Sequence, residues 1–442
     1  MMFSNKDLKR MIVPLFLEQL LVILVGLADT FVISFAGESA VSGVSLVNSF
    51  NTIFIFLFTA LASGGAVIVS QYIGGKKREM AGESASQLFM ASILFSLGIM
   101  AAVLLFGYPL MRFLFGKVEQ DVMEACLVYL RISAYSYPAL AVYNAGAALF
   151  RSIGKTTVTM YLAVISNLIN IIGNIFGVFV LHAGVAGVAY PSLIARTFSA
   201  VAVTILCFWK ENSVRYRWRW IGCFNFGLLK KILRIAVPNG VEQGIFQFVK
   251  VALSSVVALF GTSQIAANGI AQSIWSLAAL VCVTMGPVFI TVIGQCMGSR
   301  DTEQAEYYFR KLSKITILMS VVWNAAVFAL TPFVMKFYDV AEETKTLTVM
   351  LVLIHNIFNC AAFPFADPLG KGMRAAGDVK FTMAVSLITT IGARLIFSLL
   401  FAIVMDMGVI GIAWAMCMDW CVRAVVFYIR FQKGKWKQFR LI

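Results

Sequence analysis

The sequence predicts an all-α polytopic membrane protein with twelve transmembrane helices in two pseudo-symmetric lobes of six helices each. Three observations carry this prediction. Of the 442 residues, 60% are hydrophobic and 13% are charged, whereas a soluble globular protein has roughly 45–50% apolar and about 25% charged residues. The apolar residues form twelve long runs, and the second half of the chain repeats the pattern of the first. This composition excludes a soluble enzyme.

Each apolar run is long enough to cross the hydrocarbon core of a bilayer, because a spanning helix needs about 20 apolar residues. The strands of a membrane barrel would instead give alternating segments of about ten residues, so helices are favoured. Short loops join the runs, except for the longer polar segment 210–234. The runs lie at approximately 11–34, 46–72, 86–108, 122–149, 157–181, 185–209, 235–260, 267–293, 313–336, 346–369, 381–405 and 408–430.

The charge balance is strongly basic, with 36 Lys and Arg against 21 Asp and Glu and a formal net charge of +15. The basic residues lie in loops between apolar runs, so we expect the lipid bilayer and no nucleic acid as a partner. Sorting them over the loops gives 27 on the side of the N-terminus and four on the other. The positive-inside rule then predicts a multi-pass protein of the cytoplasmic (inner) membrane with both termini in the cytoplasm. The four are Arg112, Lys117, Lys336 and Lys345.

A duplication runs through nearly the whole chain. Each half holds six crossings, so both halves enter the membrane from the same side, and we expect a cavity between them near the midplane. We assign 1–209 to an N-terminal lobe, 210–234 to a cytoplasmic linker and 235–442 to a C-terminal lobe. An offset of 224 residues aligns Val13-Pro14 with Val237-Pro238, Glu18-Gln19 with Glu242-Gln243, Gln71 with Gln295, Gly74 with Gly298, Gly184 with Gly408 and Gly187 with Gly411, and a one-residue slip aligns Arg151 and Gly154 with Arg374 and Gly377.

Motifs of the common enzyme classes are missing from the sequence. It holds two histidines, His182 and His355, and no HExxH, GxSxG or dinucleotide fingerprint. Gly154-Lys155-Thr156 resembles part of a phosphate-binding loop, but the upstream glycine that this motif needs is Leu149. Eight scattered cysteines show no metal-ligand spacing. We therefore expect no enzyme activity, no cofactor and no structural metal, and we infer that transport would draw its energy from an ion gradient.

Ionisable residues inside the apolar runs are the strongest functional candidates, because each costs about 2.5–3.5 kcal/mol at the bilayer centre unless it faces protein or water. In the first half, Glu18 and Asp29 lie eleven residues apart. This spacing is about 20° from three full turns, so both carboxylates are predicted on one helix face, about 16 Å apart. No basic residue shares the apolar run of Asp29, although Arg196 in the sixth run could reach it. Asp29 is therefore our candidate for ion coupling.

The second half carries more ionisable residues inside its runs, and both signs are present. We expect them to line the substrate cavity. Lys250 and Arg394 have an alternative interpretation, because they could neutralise nearby acids as structural pairs. The predicted cavity residues are Glu242, Lys250, Asp367, Arg394 and Asp419.

Glu18 and Glu242 each follow a proline by four residues, Pro14 and Pro238 respectively. A proline removes one helical hydrogen bond and kinks the helix, so each glutamate could instead cap the freed backbone groups. We predict Pro14 and Pro238 as hinges and keep Glu18 as a supporting residue of the ion-coupling site.

Several short segments follow one another in a characteristic order. They are Pro14, Gln19 and Ala28-Asp29-Thr30; Val41-Ser42-Gly43-Val44-Ser45; Gln71-Tyr72-Ile73-Gly74; Phe150-Arg151-Ser152-Ile153-Gly154-Lys155-Thr156; the stretch from Asn170 to Asn174; and Gly184-Val185-Ala186-Gly187-Val188-Ala189. With their second-half counterparts, they make the sequence similar to the multidrug and toxic compound extrusion (MATE) transporters of the MOP superfamily. The resemblance implies two six-helix lobes that open alternately to either side and export compounds against inward proton or sodium flow.

The resemblance also implies an ion-coupling site in the first half. Asp29 is similar to the first-helix carboxylate of one branch of the family, and Asn170 to its fifth-helix asparagine. Asn174 stands where that branch has a second carboxylate, and Ser192 where it has a threonine. The site therefore has one negative charge fewer, which weakens it for sodium because a hard cation prefers charged oxygen ligands. Another branch uses carboxylates in the seventh and tenth helices, where Glu242 and Asp367 lie in a different register.

These observations predict a secondary antiporter that exports organic, cationic and amphipathic compounds. The coupling ion is a proton or sodium at Asp29, and the proton is favoured because burial stabilises the neutral carboxyl group. We expect a monomer with a small-molecule substrate. The alternative is a flippase for lipid-linked oligosaccharide precursors, since Lys250 and Arg394 could hold a pyrophosphate group. A non-transporting receptor is disfavoured by the duplicated lobes.

Overall fold

The computed structural model describes residues 2–115, 119–338 and 340–442. Lys117, one of the four basic residues assigned to the outer side, lies outside these ranges. Within them, eleven helices are long and apolar enough to cross a bilayer, and a bent helix pair brings the number to twelve when it is counted as one crossing. The prediction of an all-α membrane fold is confirmed.

We number the crossings α1 to α12. The predicted linker 210–234 contains a short 3-10 turn at Trp218–Trp220 and is helical from Phe226 onward, where α7 begins. The helices are α1 (Asn5–Ser34), α2 (Glu38–Gly74), α3 (Arg78–Phe115), α4 (Gln120–Tyr135 and Tyr137–Ser152), α5 (Thr156–Val180), α6 (Ala186–Phe208), α7 (Phe226–Phe260), α8 (Thr262–Ala278 and Leu280–Gly298), α9 (Thr302–Met335), α10 (Glu342–Ala361, Phe363–Ala366 and Pro368–Ala376), α11 (Val379–Val404) and α12 (Gly408–Gln432).

Prolines explain the interruptions in α4 and α10. The two segments of α4 meet at an angle of 44° next to Ser136, and Pro138 follows at the start of the second segment. A proline cannot continue the helical hydrogen bonds and clashes with the preceding turn. In α10, Pro364 and Pro368 begin the second and third segments in the same way.

The corresponding helices α5 and α11 both contain π-helical turns. In such turns each backbone hydrogen bond joins residues five apart, instead of four apart as in an α-helix. These turns are Phe176–Val180 in α5 and Thr389–Ile396 and Leu400–Val404 in α11. Such turns inside α-helices occur frequently at functional sites. The turn in the first half begins two residues after Asn174, and the turn Thr389–Ile396 in the second half includes Arg394.

The backbone repeats the 224-residue duplication at its left-handed residues. Positive φ is uncommon for residues other than glycine. Most of the described residues with positive φ occur in pairs that the offset relates, and two of these pairs, Lys76 with Arg300 and His182 with Asp406, contain no glycine. With the one-residue slip, Gly154 and Gly377 form a further pair. The pairs are Gly37 and Gly261, Lys76 and Arg300, His182 and Asp406, and Gly184 and Gly408. The duplication therefore extends from the sequence to the geometry of the turns.

The chain divides into two compact units. The first unit, Asn5–Gly240, contains α1 to α6 and the first part of α7, and its apolar core includes Phe58 and Tyr137. The second unit contains Val241–Ile442 and the chain up to Ser4. Its core includes Leu351 and Trp420.

Glycines allow α5 and α6 to approach closely in the first unit. A Cβ atom added at Gly187 would lie 2.7 Å from the backbone carbonyl carbon of Gly177. In the second unit, a Cβ atom at Gly411 would lie 2.7 Å from the carbonyl carbon of Phe401. Small residues permit such close contacts between membrane helices. This packing brings the polar residues of α5 and α6 next to one another.

Candidate functional site

Asp29 lies at the centre of a hydrogen-bonded group in the first unit. Its carboxylate oxygens accept hydrogen bonds from Asn170 Nδ2 at 2.9 and 3.0 Å, and Oδ1 also accepts one from Asn174 Nδ2 at 2.7 Å. Ser192 Oγ on α6 donates to Asn170 Oδ1 at 2.9 Å. The structure thus brings together four of the five residues predicted for the ion-coupling site.

The register between α1 and α5 places these groups opposite one another. Glu18 contacts Thr159 and Asp29 contacts Asn170, so an eleven-residue step on one helix matches an eleven-residue step on the other. Eleven residues make almost three turns, which keeps both contacts on one face of each helix. The prediction that Glu18 and Asp29 share a helix face is confirmed.

The two asparagines are deeply buried, with relative exposures of 7% for Asn170 and 0% for Asn174. Buried polar groups nearly always find hydrogen-bond partners. Among the described residues, however, Asn174 Oδ1 has none. The site therefore holds one acceptor that is available to a further donor or cation.

Arg196 supplies a positive charge beside this group. It lies on α6 one turn after Ser192, and its guanidinium is close enough to interact electrostatically with Asp29. Its Nη1 atom donates to Ser136 Oγ at 2.7 Å, at the break in α4. Arg196 therefore links the surroundings of Asp29 to the bent helix α4.

Glu18 lies outside the Asp29 group. Its Oε1 atom forms an ion pair with Arg151 Nη2 at 2.6 Å, and its Oε2 atom accepts a hydrogen bond from Thr159 at 2.7 Å. Glu18 is 3% exposed. Both oxygens therefore bind side chains of α4 and α5, which gives Glu18 a packing function between helices instead of direct contact with Asp29.

The second unit repeats this ion pair. Arg374 Nη2 lies 2.8 and 2.7 Å from the two carboxylate oxygens of Glu242, and Arg374 Nε donates to Thr382 at 3.3 Å. These positions correspond to those of the first pair through the duplication. Glu242, predicted to line the substrate cavity, is thus neutralised by a buried arginine.

Arg151 and Arg374 are among the 27 basic residues that were predicted to lie in cytoplasmic loops, but the structure places both of them in helices. Arg151 lies in the last turn of α4 and Arg374 in the last turn of α10. Their long side chains reach from the helix ends to buried carboxylates, so they are structural ion-pair partners. The alignment of Arg151 with Arg374 was the available signal, since two arginines at one repeat position suggest a repeated function.

The other acids of the predicted cavity are also paired. Asp367 forms an ion pair with Lys371 at 2.7 Å. Asp419 is fully buried and lies 3.0 Å from Arg394 Nε and 2.8 Å from Arg423 Nη2. Of the structural pairs considered for the basic residues, Arg394 with Asp419 is present. Each of the three predicted cavity acids, Glu242, Asp367 and Asp419, therefore has a basic partner, which leaves none of them unpaired for a cationic substrate.

The structure also locates the two prolines and the second histidine that the sequence singled out. Pro14 and Pro238 lie inside α1 and α7, and their function as hinges remains a prediction. His355 is buried, and neither ring nitrogen has a hydrogen-bond partner among the described residues. In the part of the chain that the structure describes, no three His, Cys, Asp or Glu residues converge as a metal site.

Known proteins resemble this chain along nearly all of its length. The transporter YisQ of Bacillus subtilis, which is described as uncharacterized, is 26% identical over 443 residues, covering 96% of this chain and 93% of YisQ. The probable multidrug resistance protein NorM of Thermotoga maritima is 23% identical, covering 98% of this chain and 93% of NorM.

The fold is shared with solved structures. A MOP superfamily transporter from Pyrococcus furiosus, for which a reverse polarity of the binding pocket is said to suggest a different function, has a TM-score of 0.89 at 20% identity. The alignment covers 98% of this chain and 97% of that protein. The sequence profile of the MatE family matches residues 14–176 and 238–400, one match in each half. This chain is therefore a membrane transporter, and not an enzyme, of the MatE family.

Proposed function

We propose that this protein is a secondary antiporter that exports small organic compounds across the cytoplasmic membrane, with Asp29 as the ion-coupling residue. One observation carries the proposal: a carboxylate inside a membrane helix is held by two buried amides of a neighbouring helix. Intramembrane carboxylates mark ion pathways and proton relays. The names of NorM as a multidrug resistance protein and of YisQ as a transporter support export as the direction and organic compounds as the cargo.

The hydrogen bonds at Asp29 favour a proton as the coupling ion. Ser192 donates to Asn170 Oδ1, which directs the Asn170 amide nitrogen toward the carboxylate. A sodium ion would need oxygen ligands, so both amides would have to turn. Protonation of Asp29 adds a single donor, and the unpartnered Asn174 Oδ1 offers an acceptor for it once that amide turns.

This geometry suggests how ion binding could move a helix. With Asp29 ionised, three hydrogen bonds hold α1 against α5. A proton on Asp29 removes the negative charge that these donors and Arg196 stabilise, and hydrogen bonds to charged groups are stronger than neutral ones. The contact between α1 and α5 therefore weakens on protonation, and a repacked α1 would accompany release of the compound.

The proposed orientation has both termini in the cytoplasm and the protein acting as a monomer. The basic residues in the loops and at the helix ends on this side support the orientation through the positive-inside rule. Leaving out Arg151 and Arg374, whose side chains reach buried carboxylates, lowers the cytoplasmic total from 27 to 25, which leaves the asymmetry large.

The decisive experiment measures efflux from proteoliposomes with proton and sodium gradients imposed separately. Asp29→Asn should reduce gradient-driven efflux to the rate of empty liposomes, because the amide cannot take up a proton. Asp121→Asn changes an exposed aspartate at the start of α4 and should leave efflux unchanged. Full proton-driven efflux by Asp29→Asn would sink the proposal, and equal efflux under a sodium gradient alone would assign sodium instead.

A flippase for lipid-linked anionic precursors is the second candidate. The observation that favours it is the concentration of basic side chains on α7, α11 and α12. Lys250 has no ion-pair partner among the described residues, and Arg394 and Arg423 share one acid, Asp419. Transfer of a lipid pyrophosphate between leaflets of a vesicle, without a requirement for Asp29, would support this candidate over the antiporter.

A further inference from the structure

The second unit contains a group of charged residues with an excess of positive charge, which we call the basic cluster: Lys250 on α7, Arg394 on α11, and Asp419 and Arg423 on α12. Three cations face one acid, so the cluster carries a formal charge of +2. All four residues lie in helices long and apolar enough to span a bilayer. The remaining acids nearby cannot offset this charge, because Glu242 and Asp367 have their own partners, Arg374 and Lys371.

Asp419 and Arg423 are both bound by side chains of the protein. The two carboxylate oxygens of Asp419 are shared between Arg394 and Arg423, at 3.0 and 2.8 Å. Arg423 also donates to Thr389 Oγ1 at 3.3 Å and Thr390 Oγ1 at 3.1 Å. Arg423 therefore uses both Nε and Nη2 for contacts within the protein, whereas Arg394 uses only Nε, so Arg423 is the less available of the two for a ligand.

Arg394 and Lys250 have unused donors. The only acid that Arg394 contacts is Asp419, through Nε, and the described residues provide no hydrogen-bond partner for its two terminal nitrogens. The guanidinium lies over the ring of Phe246, 4.7 Å from the ring centre. Lys250 follows Phe246 by four residues on α7, so it lies one turn away on the same helix face. Lys250 is exposed, and it is close enough to Arg394 for the two charges to interact electrostatically.

Charged groups in a membrane span face a protein interior or a water-filled cavity and are normally paired. Two neighbouring cations repel each other. An anion between them would offset this repulsion and give each cation the partner that it lacks. An arginine edge binds the two oxygens of a carboxylate side by side, while a lysine adds a point charge. Two available cations match one monovalent oxyanion better than the several charges of a pyrophosphate.

We infer that Lys250 and Arg394 form a binding site for an organic carboxylate, with the Phe246 ring beside it. The site lies wholly in the second unit and is separate from the Asp29 group in the first. That the carboxylate belongs to the exported compound rests on the proposed antiport function, but the binding itself does not. The protein would then transport acidic or zwitterionic compounds in addition to, or instead of, purely cationic ones.

The test measures equilibrium binding of 2-naphthoate to the full-length protein in nanodiscs, without any gradient. The matched neutral probe is 2-naphthamide. We expect the acid to bind at least about tenfold more tightly than the amide, and Lys250→Gln to lose about tenfold in affinity for the acid alone. Lys336→Gln, which changes an exposed lysine after α9, should bind like the unchanged protein.

Arg394→Gln is the second variant, because Asp419 keeps Arg423 as a partner and the fold should persist. Its thermal unfolding is recorded beside its affinity, and a folded variant with weakened naphthoate binding supports the site. Because binding is measured without a gradient, full gradient-driven efflux by Asp29→Asn would overturn the proposed function but leave the carboxylate site standing, which separates the two.

Three outcomes overturn the inference. In the first, Lys250→Gln and a folded Arg394→Gln both bind naphthoate as the unchanged protein does. In the second, chloride at equal concentration displaces naphthoate completely, which would make this an inorganic anion site. In the third, geranyl pyrophosphate binds much more tightly than naphthoate, which would indicate a lipid headgroup.

Discussion

The two halves of this protein use corresponding sets of three helices for different chemistry. In the first half, α1, α5 and α6 surround one acid with two amides and a hydroxyl group. In the second half, α7, α11 and α12 present a basic cluster around one acid. Through the 224-residue offset, Asp29 corresponds to Leu253 and Asn170 to Arg394.

Other features are the same in both halves. Each has a buried Glu–Arg pair next to a threonine, and the left-handed turns recur at matching positions. The shared features hold helices together, whereas the differing ones lie where ions or ligands can bind. A duplicated fold can therefore keep one set of structural contacts while its two copies acquire opposite charge at the site.

The largest expected effect concerns the shared ion pairs. Glu18→Gln and Glu242→Gln should each destabilise the protein by about 3 kcal/mol, because removing one partner leaves a largely buried arginine uncompensated. Chemical or thermal unfolding in detergent measures this loss. Glu79→Gln removes an exposed partner of Arg217 and Arg219 and should change stability by less than about 0.5 kcal/mol. A large loss in only one half would show that the two pairs are not equivalent.

An intermediate effect is expected from Asn174→Asp, which makes the first site more acidic and increases the contrast between halves. A second carboxylate beside Asp29 adds a charged oxygen ligand, so sodium affinity should rise about tenfold, or about 1.4 kcal/mol. Binding of radioactive sodium to the purified protein checks this. Asn174→Ala adds no charge and should show no gain. If the aspartate variant binds no more sodium than the alanine variant, Asn174 does not face the ion.

The smallest effect is expected from Ser192→Ala. It removes one hydrogen bond to Asn170, which is worth about 0.5–1.5 kcal/mol, and leaves the Asn170 amide free to turn. Proton-driven efflux should fall about threefold, and sodium-driven efflux should rise relative to it. Thr197→Ala, on the exposed side of α6, serves as the control. An unchanged ratio of the two efflux rates would mean that Ser192 does not set the orientation of the Asn170 amide.

Much of the fold could be predicted, because a helix that crosses a bilayer must be long enough and apolar enough to span the hydrocarbon core. Long apolar runs identify the crossings, and the duplication reports the two halves. The ends of helices were harder, because Arg151 and Arg374 look like loop charges in a sequence but extend from helix ends to buried acids. Helix periodicity placed Glu18 and Asp29 on one face correctly, yet it could not show which neighbouring helix each would contact.

For the candidate sites too, some residues could be predicted from the sequence and others could not. Asp29 could be singled out from its position in an apolar run, and the family resemblance supplied Asn170, Asn174 and Ser192. The pairing of Asp419 with two arginines depends on contacts between α11 and α12. The π-helical turns of α11 set which side chains point toward α12, and no regular helical periodicity predicts that.

The matched left-handed turns have a practical use in spectroscopy. Lys76 and Arg300 are exposed and share nearly the same φ, 58° and 63°, at equivalent turns. A cysteine-linked spin label or fluorophore at either position would have a similar local attachment geometry, so differences between the two signals would report the surroundings of each half and not the linker. Among the described cysteines, Cys223 is the exposed one, and replacing it would leave these two turns as the preferred labelling positions.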